Sequence, residues 1–377
     1  YKETTRILLP CELYVNQKNY ALFIYLVNYK SKLSCSGVAM IEIRGDYLEG
    51  GGQILRTSVA LAALTGKKCK ITNIRANRKN PGLQAQHKTA IDAVAKLCDA
   101  NVTGNRLGSK EIVFEPGKIK GGSFSLNVGT AGSTALVLQS LMLPAMRCEK
   151  PLDIKIAGGT INKWAPSVGY LQNVMLPLLK RFGYDANIEV KKHGFYPKGG
   201  GIVEARIRRC ELGRIELNER GTVVSVNGLC IASNDLRKQQ VAERMQGFLR
   251  DKLFDEFKTA PNVKTSYVDA QSTGGGCDLF AVYEDSVIGA GSIAERGKRA
   301  EDVANEAMGM LVSAHKSGAA LDRHMADQIV PYLALAGGAV SVEEITEHAR
   351  TNVWVCEQFL DVKFDVDETL KLIGCKK

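Results

Sequence analysis

The alternation of apolar and polar positions predicts short strands that alternate with helices. The stretch IEI from Ile41 to Ile43 alternates like a half-buried strand and leads into a glycine turn. An apolar helix follows in GGGQILRTSVALAALT, Gly66 ends it, and CKITNI predicts the next strand. About 80 residues later GTAGSTALVLQSLMLPAMRCEKPLDIKIAGG has the same plan, with Gly132 and Ser133 opening its helix. This spacing predicts an internally repeated unit.

A second helix and further strands follow each of these segments. The apolar periodicity predicts helices from about Leu83 to Cys98 and from about Ser167 to Phe182. Near the C-terminus, HMADQIVPYLALAGG and EEITEHARTNVWVCEQFLDVKFDV predict a third, shortened copy. We therefore predict an α+β fold of α/β repeats, in which each unit combines two helices with a β-sheet and the helices cover one sheet face.

The pattern changes between residues 219 and 318. There, TVVSVNGLCIAS predicts a strand, DLRKQQVAERMQGFLRDKL a helix, VKTSYVDAQS and DLFAVYEDSVIGAGSI two strands, and GKRAEDVANEAMGMLVSAHKSG a helix. Such a βαββα unit can bury its own core, so we predict that 219–318 is a smaller domain inserted into a repeated domain of 40–218 and 319–377. Residues 1–39 do not share the pattern, and we predict an N-terminal extension outside the fold that starts at Met40.

Composition narrows the class of protein. With 45% hydrophobic and 24% charged residues among 377, the chain is an ordinary globular protein, which excludes disordered and fibrous classes. The formal net charge of +10 favours a polyanionic partner such as a nucleic acid. Ten cysteines are scattered without a CxxC pair, which indicates reduced thiols rather than a disulfide or zinc framework. The longest apolar run, YALFIYLV, is too short to span a membrane, and we expect a cytoplasmic protein.

Three glycine triplets, Gly50 to Gly52, Gly199 to Gly201 and Gly274 to Gly276, carry the first hint of chemistry. A triplet can form a tight turn at positive φ. It can equally let a phosphate approach the free backbone amides at a helix N-terminus. The glycines alone leave both interpretations open.

The surroundings of the glycines add specificity. EGGGQILR begins at Glu49, IRANRKNPGLQAQH at Ile74 and HGFYPKGGGIV at His193, while HMADQ at His324 is followed by HARTN at His348. With these motifs in this order, the chain resembles the RNA 3'-terminal phosphate cyclase family from Met40 almost to its C-terminus. The resemblance implies three or four repeats like the C-terminal domain of a translation initiation factor, plus an inserted smaller domain.

The same resemblance implies an enzyme. Members of the family use ATP and a divalent metal, Mg²⁺ or Mn²⁺, to convert the 3'-phosphate of an RNA end into a 2',3'-cyclic phosphodiester. The reaction passes through enzyme-histidine-AMP and RNA-phosphate-AMP intermediates. Imidazole suits this task, because it is neutral near pH 7 and its phosphoramidate is labile.

Spacing alone does not choose among the five histidines, but the resemblance implies that His348 is the catalytic nucleophile. It also implies that His324 and Pro166 stack on the two faces of adenine and that Asp327 accepts hydrogen bonds from the ribose. A histidine at a helix start and a proline before a helix need no ligand to explain them. The implied ATP contacts as a set are Gln139, Pro166, His324, Met325, Ala326, Asp327 and Gln328.

Two phosphates brought together repel each other by about 4 kcal/mol per charge pair at 4 Å and an effective dielectric near 20. Arginine offsets this repulsion well, since its guanidinium grips phosphate bidentately and stays charged. The candidate contacts to substrate phosphate are Arg56, Arg75, Arg78, Gln86 and His87, and the candidate metal ligand is Glu49. Ile161 stands where many members of the family have aspartate, a departure that removes the basis for a ribose or metal contact there.

Two other classes of protein compete with this interpretation. One is a non-catalytic, cyclase-like RNA-binding factor of ribosome assembly, and the other is a small-molecule transferase of the enolpyruvyl type, which also binds phosphate on glycine and arginine. The presence of His348 together with Arg56, Arg75 and Arg78 favours the enzyme over the assembly factor, while a transferase would require neither His348 nor HMADQ. The sequence leaves the oligomeric state open, a homodimer included.

Overall fold

The computed structural model describes residues 40–376, which form a mixed α+β fold with four four-stranded sheets. The predicted extension, 1–39, lies outside the described residues. Strands β1 to β16 are Ile41–Arg44, Cys69–Thr72, Asn101–Thr103, Ile112–Glu115, Gly122–Asn127, Leu152–Gly158, Ala186–Lys192, Gly201–Ile207, Ile215–Leu217, Val223–Ser233, Asn262–Val268, Gly275–Tyr283, Val287–Ile293, Gly338–Ser341, Lys363–Asp367 and Leu372–Lys376.

The helices are numbered α1 to α9 in chain order, and α4 contains a π-helical turn, Leu171–Met175, between Val168–Tyr170 and Leu176–Arg181. The others are α1 Gly52–Thr65, α2 Ala85–Cys98, α3 Thr134–Ala145, α5 Val241–Phe257, α6 Ala300–Ser317, α7 Met325–Gln328, α8 Val330–Ala336 and α9 Glu347–Phe359.

Three of the sheets have the same strand order. In β1-β2-β4-β3, β5-β6-β8-β7 and β9-β14-β16-β15, the first two strands are parallel and the other neighbours are antiparallel. In the first two sheets one helix joins the first strand to the second, and another helix joins the second to the third. In the third sheet the connection from β9 to β14 contains the whole fourth sheet.

The fourth sheet has the order β11-β10-β12-β13 and is packed against α5 and α6. Its apolar core includes Met245, Leu249 and Leu311 and is a separate cluster from the large core of the other three sheets. The predicted βαββα order is wrong in one element, because the stretch read as one final strand is the hairpin β12–β13. The Tyr283 amide donates to the Ser286 carbonyl at 2.8 Å and closes the turn, so the observed order is βαβββα.

The predicted helix boundaries near the glycine turns are confirmed. Gly66 ends α1 at φ +70°, and the Ser133 hydroxyl caps α3 by accepting from the Leu136 amide at 3.2 Å. Helix α1 is buried against α2, α3 and α9, which fixes its N-terminus beside the first turn of α9. The glycine turn before α1 therefore meets the segment that contains His348.

Six cysteines in the described part of the chain are buried free thiols: Cys69, Cys98, Cys148, Cys230, Cys277 and Cys356. Between residues 40 and 376, no helix combines the length and the apolar composition that a membrane crossing requires.

Candidate active site

The glycine turn at Gly50 to Gly52 leaves no room for side chains. A Cβ atom on Gly51 would lie 2.2 Å from Glu49 Oε2, and one on Gly52 would lie 2.1 Å from His87 Nε2. Gly50 has φ +61°, a conformation that favours glycine. The first turn of α1 has no side-chain cap, so its amides are available to an anion.

His348, Glu49 and Arg78 meet beside this turn. His348 lies in the first turn of α9, and its Nδ1 is 3.5 Å from Glu49 Oε2. Arg78 Nη2 contacts Glu49 Oε1. His348 Nδ1 and both oxygens of Glu49 are buried and have no hydrogen-bond partner within the part of the chain that the structure describes. Buried polar atoms without partners are rare in proteins, and they suit a site that a ligand completes.

The His348 ring is held neutral. Burial lowers its pKa, and the positive charges of Arg56 and Arg78 lower it further. The ring therefore carries one proton at neutral pH. With that proton on Nδ1, toward Glu49, Nε2 is left as an unprotonated nucleophilic nitrogen.

Asp327 is joined to His348 through Gln53. Gln53 Nε2 donates to Asp327 Oδ2 at 3.2 Å and to the His348 carbonyl at 3.3 Å. Asn352 Nδ2 donates to the Asp327 carbonyl at 2.7 Å, while its Oδ1 accepts from Thr57 Oγ1 at 2.8 Å. These bonds connect α1, α7 and α9. Burial raises the pKa of Asp327 to about 7, although Arg56 opposes the shift.

Sequence reasoning assigned no role to Gln53, Thr57 or Asn352. A signal was present for two of them, because Gln53 follows the glycines in EGGGQILR and Asn352 ends HARTN. Both are polar residues on otherwise apolar helix faces. Buried polar side chains at such positions indicate a hydrogen-bond network.

The side chains of Arg56 and His87 lie next to Gly52, the last glycine of the turn. Arg56 lies one turn after Gly52 on the same face of α1, and a Cβ on Gly52 would be 3.2 Å from its Nη1. Burial lowers the pKa of Arg56 to about 10, so it stays charged at pH 7. Burial, with the charges of Arg56 and Arg75, lowers the pKa of His87 to about 3. Its Nδ1 accepts from the Gln84 amide at 3.3 Å, which makes Nε2 a neutral donor directed toward the glycines.

Arg75 and Gln86 have further partners of their own. Arg75 Nη1 donates to the carbonyls of Asn80 at 2.6 Å and Gly82 at 2.9 Å, so it also holds the loop that contains Arg78. Gln86 Oε1 accepts from the Ser133 amide at 3.1 Å. The structure thus joins Arg78 directly to Glu49, whereas it binds Arg75 to the backbone of its own loop.

The implied adenine contacts lie around α7. The His324 ring packs edge-on against Tyr170, with ring centroids 6.3 Å apart, and Gln328 Nε2 donates to the His324 carbonyl at 2.9 Å. Gln139 Nε2 donates to Gln328 Oε1 at 2.6 Å. Met325 and Ala326 are buried. Pro166 lies immediately before Ser167, which caps α4, the helix that contains Tyr170.

The buried carboxylate of Asp322 holds together the segments that carry the implied adenine contacts. Only 1% exposed, it accepts from the Tyr170 hydroxyl at 2.8 and 3.0 Å and from the amides of Gly289, His324 and Met325, each at 2.9 Å. The carboxylate therefore ties the fourth sheet to α4 and α7. Sequence reasoning missed it, because it lies just outside HMADQ.

Replacing Asp322 with alanine is expected to lower the free energy of unfolding by about 3 kcal/mol or more. The change leaves four buried donors unpaired, and each such group costs about 1–3 kcal/mol. Urea unfolding followed by circular dichroism measures the difference. The exposed Asp361, changed to alanine in the same way, should alter stability by no more than about 0.5 kcal/mol. Equal effects of the two substitutions would contradict the support role of Asp322.

The sequence model of the RNA 3'-terminal phosphate cyclase family matches residues 47–366. Curated relatives described as RNA 3'-terminal phosphate cyclase are similar over almost the same length. The protein of Methanococcoides burtonii is 43% identical over 331 residues, which cover 87% of this chain and 97% of the relative. Those of Methanopyrus kandleri and Pyrococcus furiosus are also 43% identical, with 87% of this chain and 96% and 95% of the relatives covered. The chain therefore belongs to the RNA 3'-terminal phosphate cyclase family, which confirms the enzyme class predicted from its motifs.

Proposed function

We propose that this protein uses ATP to convert the 3'-phosphate of an RNA end into a 2',3'-cyclic phosphodiester, with His348 as the nucleophile. The observation that carries the proposal is the meeting of His348 and Arg78 at the buried carboxylate of Glu49, where His348 Nδ1 and both Glu49 oxygens lack hydrogen-bond partners among the described residues. A phosphate monoester is a poor electrophile, because its oxygens are anionic and none is a good leaving group. Attachment of AMP supplies the leaving group.

The first step transfers AMP to His348. The neutral Nε2 attacks the α-phosphorus of ATP, an N–P bond forms, and pyrophosphate departs with the electrons of the broken P–O bond. Glu49 faces Nδ1 and stabilises the positive charge that the ring acquires. An oxygen of the RNA 3'-phosphate then attacks the same phosphorus, and the N–P electrons return to the imidazole.

The third and last step closes the ring. The 2'-hydroxyl attacks the 3'-phosphorus, loses its proton and expels AMP. Arg56 and Arg78 offset the negative charges gathered here, and His87 donates through Nε2. Arg75 and Gln86 are further phosphate contacts in this proposal, each with donors beyond those it uses within the protein.

We assign one wall of the site, formed by α7 and the side chains around it, to ATP. We assign adenine to the space between His324 and Pro166, and the ribose to Asp327, which the Gln53 amide already orients. The bonded pair Gln139 and Gln328, with Met325 and Ala326, completes this wall. The hydrogen bonds of Asp322 and the edge of Tyr170 support the position of His324.

Glu49 is the residue that would hold Mg²⁺ or Mn²⁺. Oε1 contacts Arg78 and Oε2 faces His348, but neither oxygen accepts a hydrogen bond within residues 40–376, and carboxylate oxygens suit either ion. The same residues contain no group of three or more acidic, histidine or cysteine side chains that could hold a metal. When bound, the ion would supply positive charge that stabilises the departing pyrophosphate.

We further propose that the three sheets of equal strand order are repeats of one unit, similar to the C-terminal domain of a translation initiation factor. The common order and the common pattern of parallel and antiparallel pairs support this. The separate core of the fourth sheet supports an inserted domain within 219–318, which divides the repeated domain into 40–218 and 319–377. The buried free thiols favour a reducing, cytoplasmic location.

The proposal is tested by exposing the protein to α-labelled ATP with Mg²⁺. We expect a mass increase of one AMP on the peptide that contains His348. Addition of a 3'-phosphorylated RNA should remove the label and produce a cyclic end. A protein that binds RNA with strong salt dependence but takes up no AMP would instead be a ribosome-assembly factor. Turnover of phosphorylated sugars in place of RNA would support the transferase class.

The affinity for ATP is expected to fall as the pH decreases through about 7. Burial raises the pKa of Asp327 to about 7, so the carboxylate that accepts from the ribose becomes protonated below this value. The pKa of His348 is lowered by burial and by the charges of Arg56 and Arg78, so His348 takes up its proton at a lower pH than Asp327 does. The KM for ATP should therefore rise several-fold between pH 8 and pH 6, while in Asp327→Asn it should stay flat. Parallel curves for the two proteins would contradict the assignment.

A further inference from the structure

Two aromatic side chains stand out from the surface. Trp164 is 89% exposed and Tyr196 is 76% exposed, more than any other large hydrophobic side chain in residues 40–376. Trp164 lies on the loop 159–167, and Tyr196 lies in the HGFYPKGGGIV motif, which the proposed chemistry does not use. Single exposed hydrophobic residues are common, but two large aromatics at such exposure need an explanation.

The loops that carry these rings are packed together. Ile161, three residues before Trp164, and Phe195, next to Tyr196, share a small buried cluster with Ile231. The Thr160 amide donates to the Gly194 carbonyl at 2.9 Å, and the Gly194 amide donates to Thr160 Oγ1 at 3.1 Å. The two rings are therefore held on one connected piece of structure.

This piece adjoins the proposed active site. The loop 159–167, here called the tryptophan loop, begins at Gly159, which forms a β-bridge with Ser133. The Ser133 amide donates to Gln86, a proposed phosphate contact. The end of the loop is Pro166, a proposed adenine contact, followed by Ser167 at the start of α4. The tryptophan loop thus connects the RNA-phosphate side of the site to its ATP side.

The backbone conformation at Trp164 and the lysines near both rings indicate a function for the two exposed aromatic side chains. Trp164 has φ +66°, in the left-handed region that a bulky side chain rarely adopts. Such conformations persist where the surrounding structure enforces them, and they cluster at functional sites. Lys163 Nζ lies 5.3 Å from the centre of the Trp164 ring, and Lys198, two residues after Tyr196, is exposed. Exposed aromatics interleaved with lysines are suited to a single nucleic-acid strand.

We propose that Trp164 and Tyr196 stack on bases of the RNA strand that precedes the terminal phosphate, while Lys198, and Lys163 beside its partner Glu295, attract its backbone. The proposal rests on the function proposed above and defines how that substrate is held. Stacking on ring faces tolerates any base, because every base has a π-face. The surface therefore selects single-stranded 3' ends by their flexibility and length rather than by their sequence.

Binding of a 3'-phosphorylated RNA oligonucleotide to single variants tests the proposal. Trp164→Ala and Tyr196→Ala should each weaken Kd roughly 5- to 150-fold, the range for loss of one stacked base. Trp164→Phe should retain most of the affinity. Leu370→Ala, at a residue 65% exposed in the turn between β15 and β16, is the matched control and should bind as the unchanged protein does.

An abasic strand separates stacking from other effects. When the bases next to the terminal nucleotide are removed, the alanine variants and the unchanged protein should bind equally. Unchanged affinity of both alanine variants for the intact strand would overturn the proposal, and so would an equal defect on intact and abasic strands. AMP uptake by His348 needs no RNA, so it should persist in every one of these variants. Absence of AMP uptake in the unchanged protein would instead count against the proposed function.

Tryptophan fluorescence supplies an independent measurement. The chain has two tryptophans, and Trp354 is stacked on Tyr47 with ring centroids 4.2 Å apart. In Trp354→Phe the emission comes from Trp164 alone. Addition of the RNA should quench it, and the abasic strand should not. Emission that is unchanged by saturating RNA would contradict stacking at Trp164.

Discussion

Replacing His348 with alanine is expected to abolish covalent uptake of AMP, with a loss of at least about a thousand-fold in cyclase activity. The substitution removes the nitrogen that forms the N–P bond. Of the nearby groups, His87 has its Nδ1 occupied and an Nε2 that donates. Intact-protein mass spectrometry after incubation with ATP, and release of labelled pyrophosphate, measure the effect.

The matched control is another histidine of the same chain. His315→Asn changes a ring on α6 that bonds to the Tyr283 hydroxyl at 2.7 Å, within the fourth sheet and its helices. That variant should still take up one AMP. Circular dichroism should show both proteins folded, since His348 lies on the partly open side of α9 and its Nδ1 makes no hydrogen bond to another described residue. Label that stays on His348→Ala would rule out this nucleophile.

Much of the fold could be predicted from local patterns. The apolar periodicity and the positions of glycine and serine predicted α1, its end at Gly66 and the cap at Ser133. Each of these features depends on residues that are close together in sequence. The hairpin β12–β13 was missed because its turn, at Glu284 and Asp285, contains neither glycine nor proline. Polar residues between two apolar runs were the available signal.

The site was harder to predict than the fold. The motifs named His348, Glu49 and Arg78, and the structure brings these three together. The bond from Gln53 to Asp327 joins residues 274 positions apart, and no local pattern specifies such a contact. The environment that keeps His348 neutral likewise depends on packing of α1 against α9. A motif can thus name the reacting groups, whereas their protonation and support follow from tertiary structure.

The substitution Gly52→Ala is expected to lower kcat/KM for cyclisation about a hundred-fold. Gly52 is the first residue of α1 and has no positive φ, so alanine suits its backbone. The added Cβ would lie 2.1 Å from His87 Nε2, which forces the His87 ring out of position, and 3.2 Å from Arg56 Nη1, a tight contact that displaces the guanidinium slightly. Misplacement by about 1 Å in a catalytic site can cost a hundred-fold in rate.

Gly309→Ala provides the comparison that assigns this loss to the site. Gly309 lies within α6 with no atom within 4 Å of an added Cβ, so alanine there should stabilise the helix by about 0.5–1 kcal/mol and leave activity unchanged. Thermal unfolding and initial rates at varied ATP measure both variants. If Gly52→Ala keeps full activity, the glycine turn is only a tight connection before α1. If it loses activity while its melting temperature is unchanged, the absence of a side chain at Gly52 is required for activity. The reason would be that His87 and Arg56, which bind phosphate in this proposal, occupy the space that a side chain would fill.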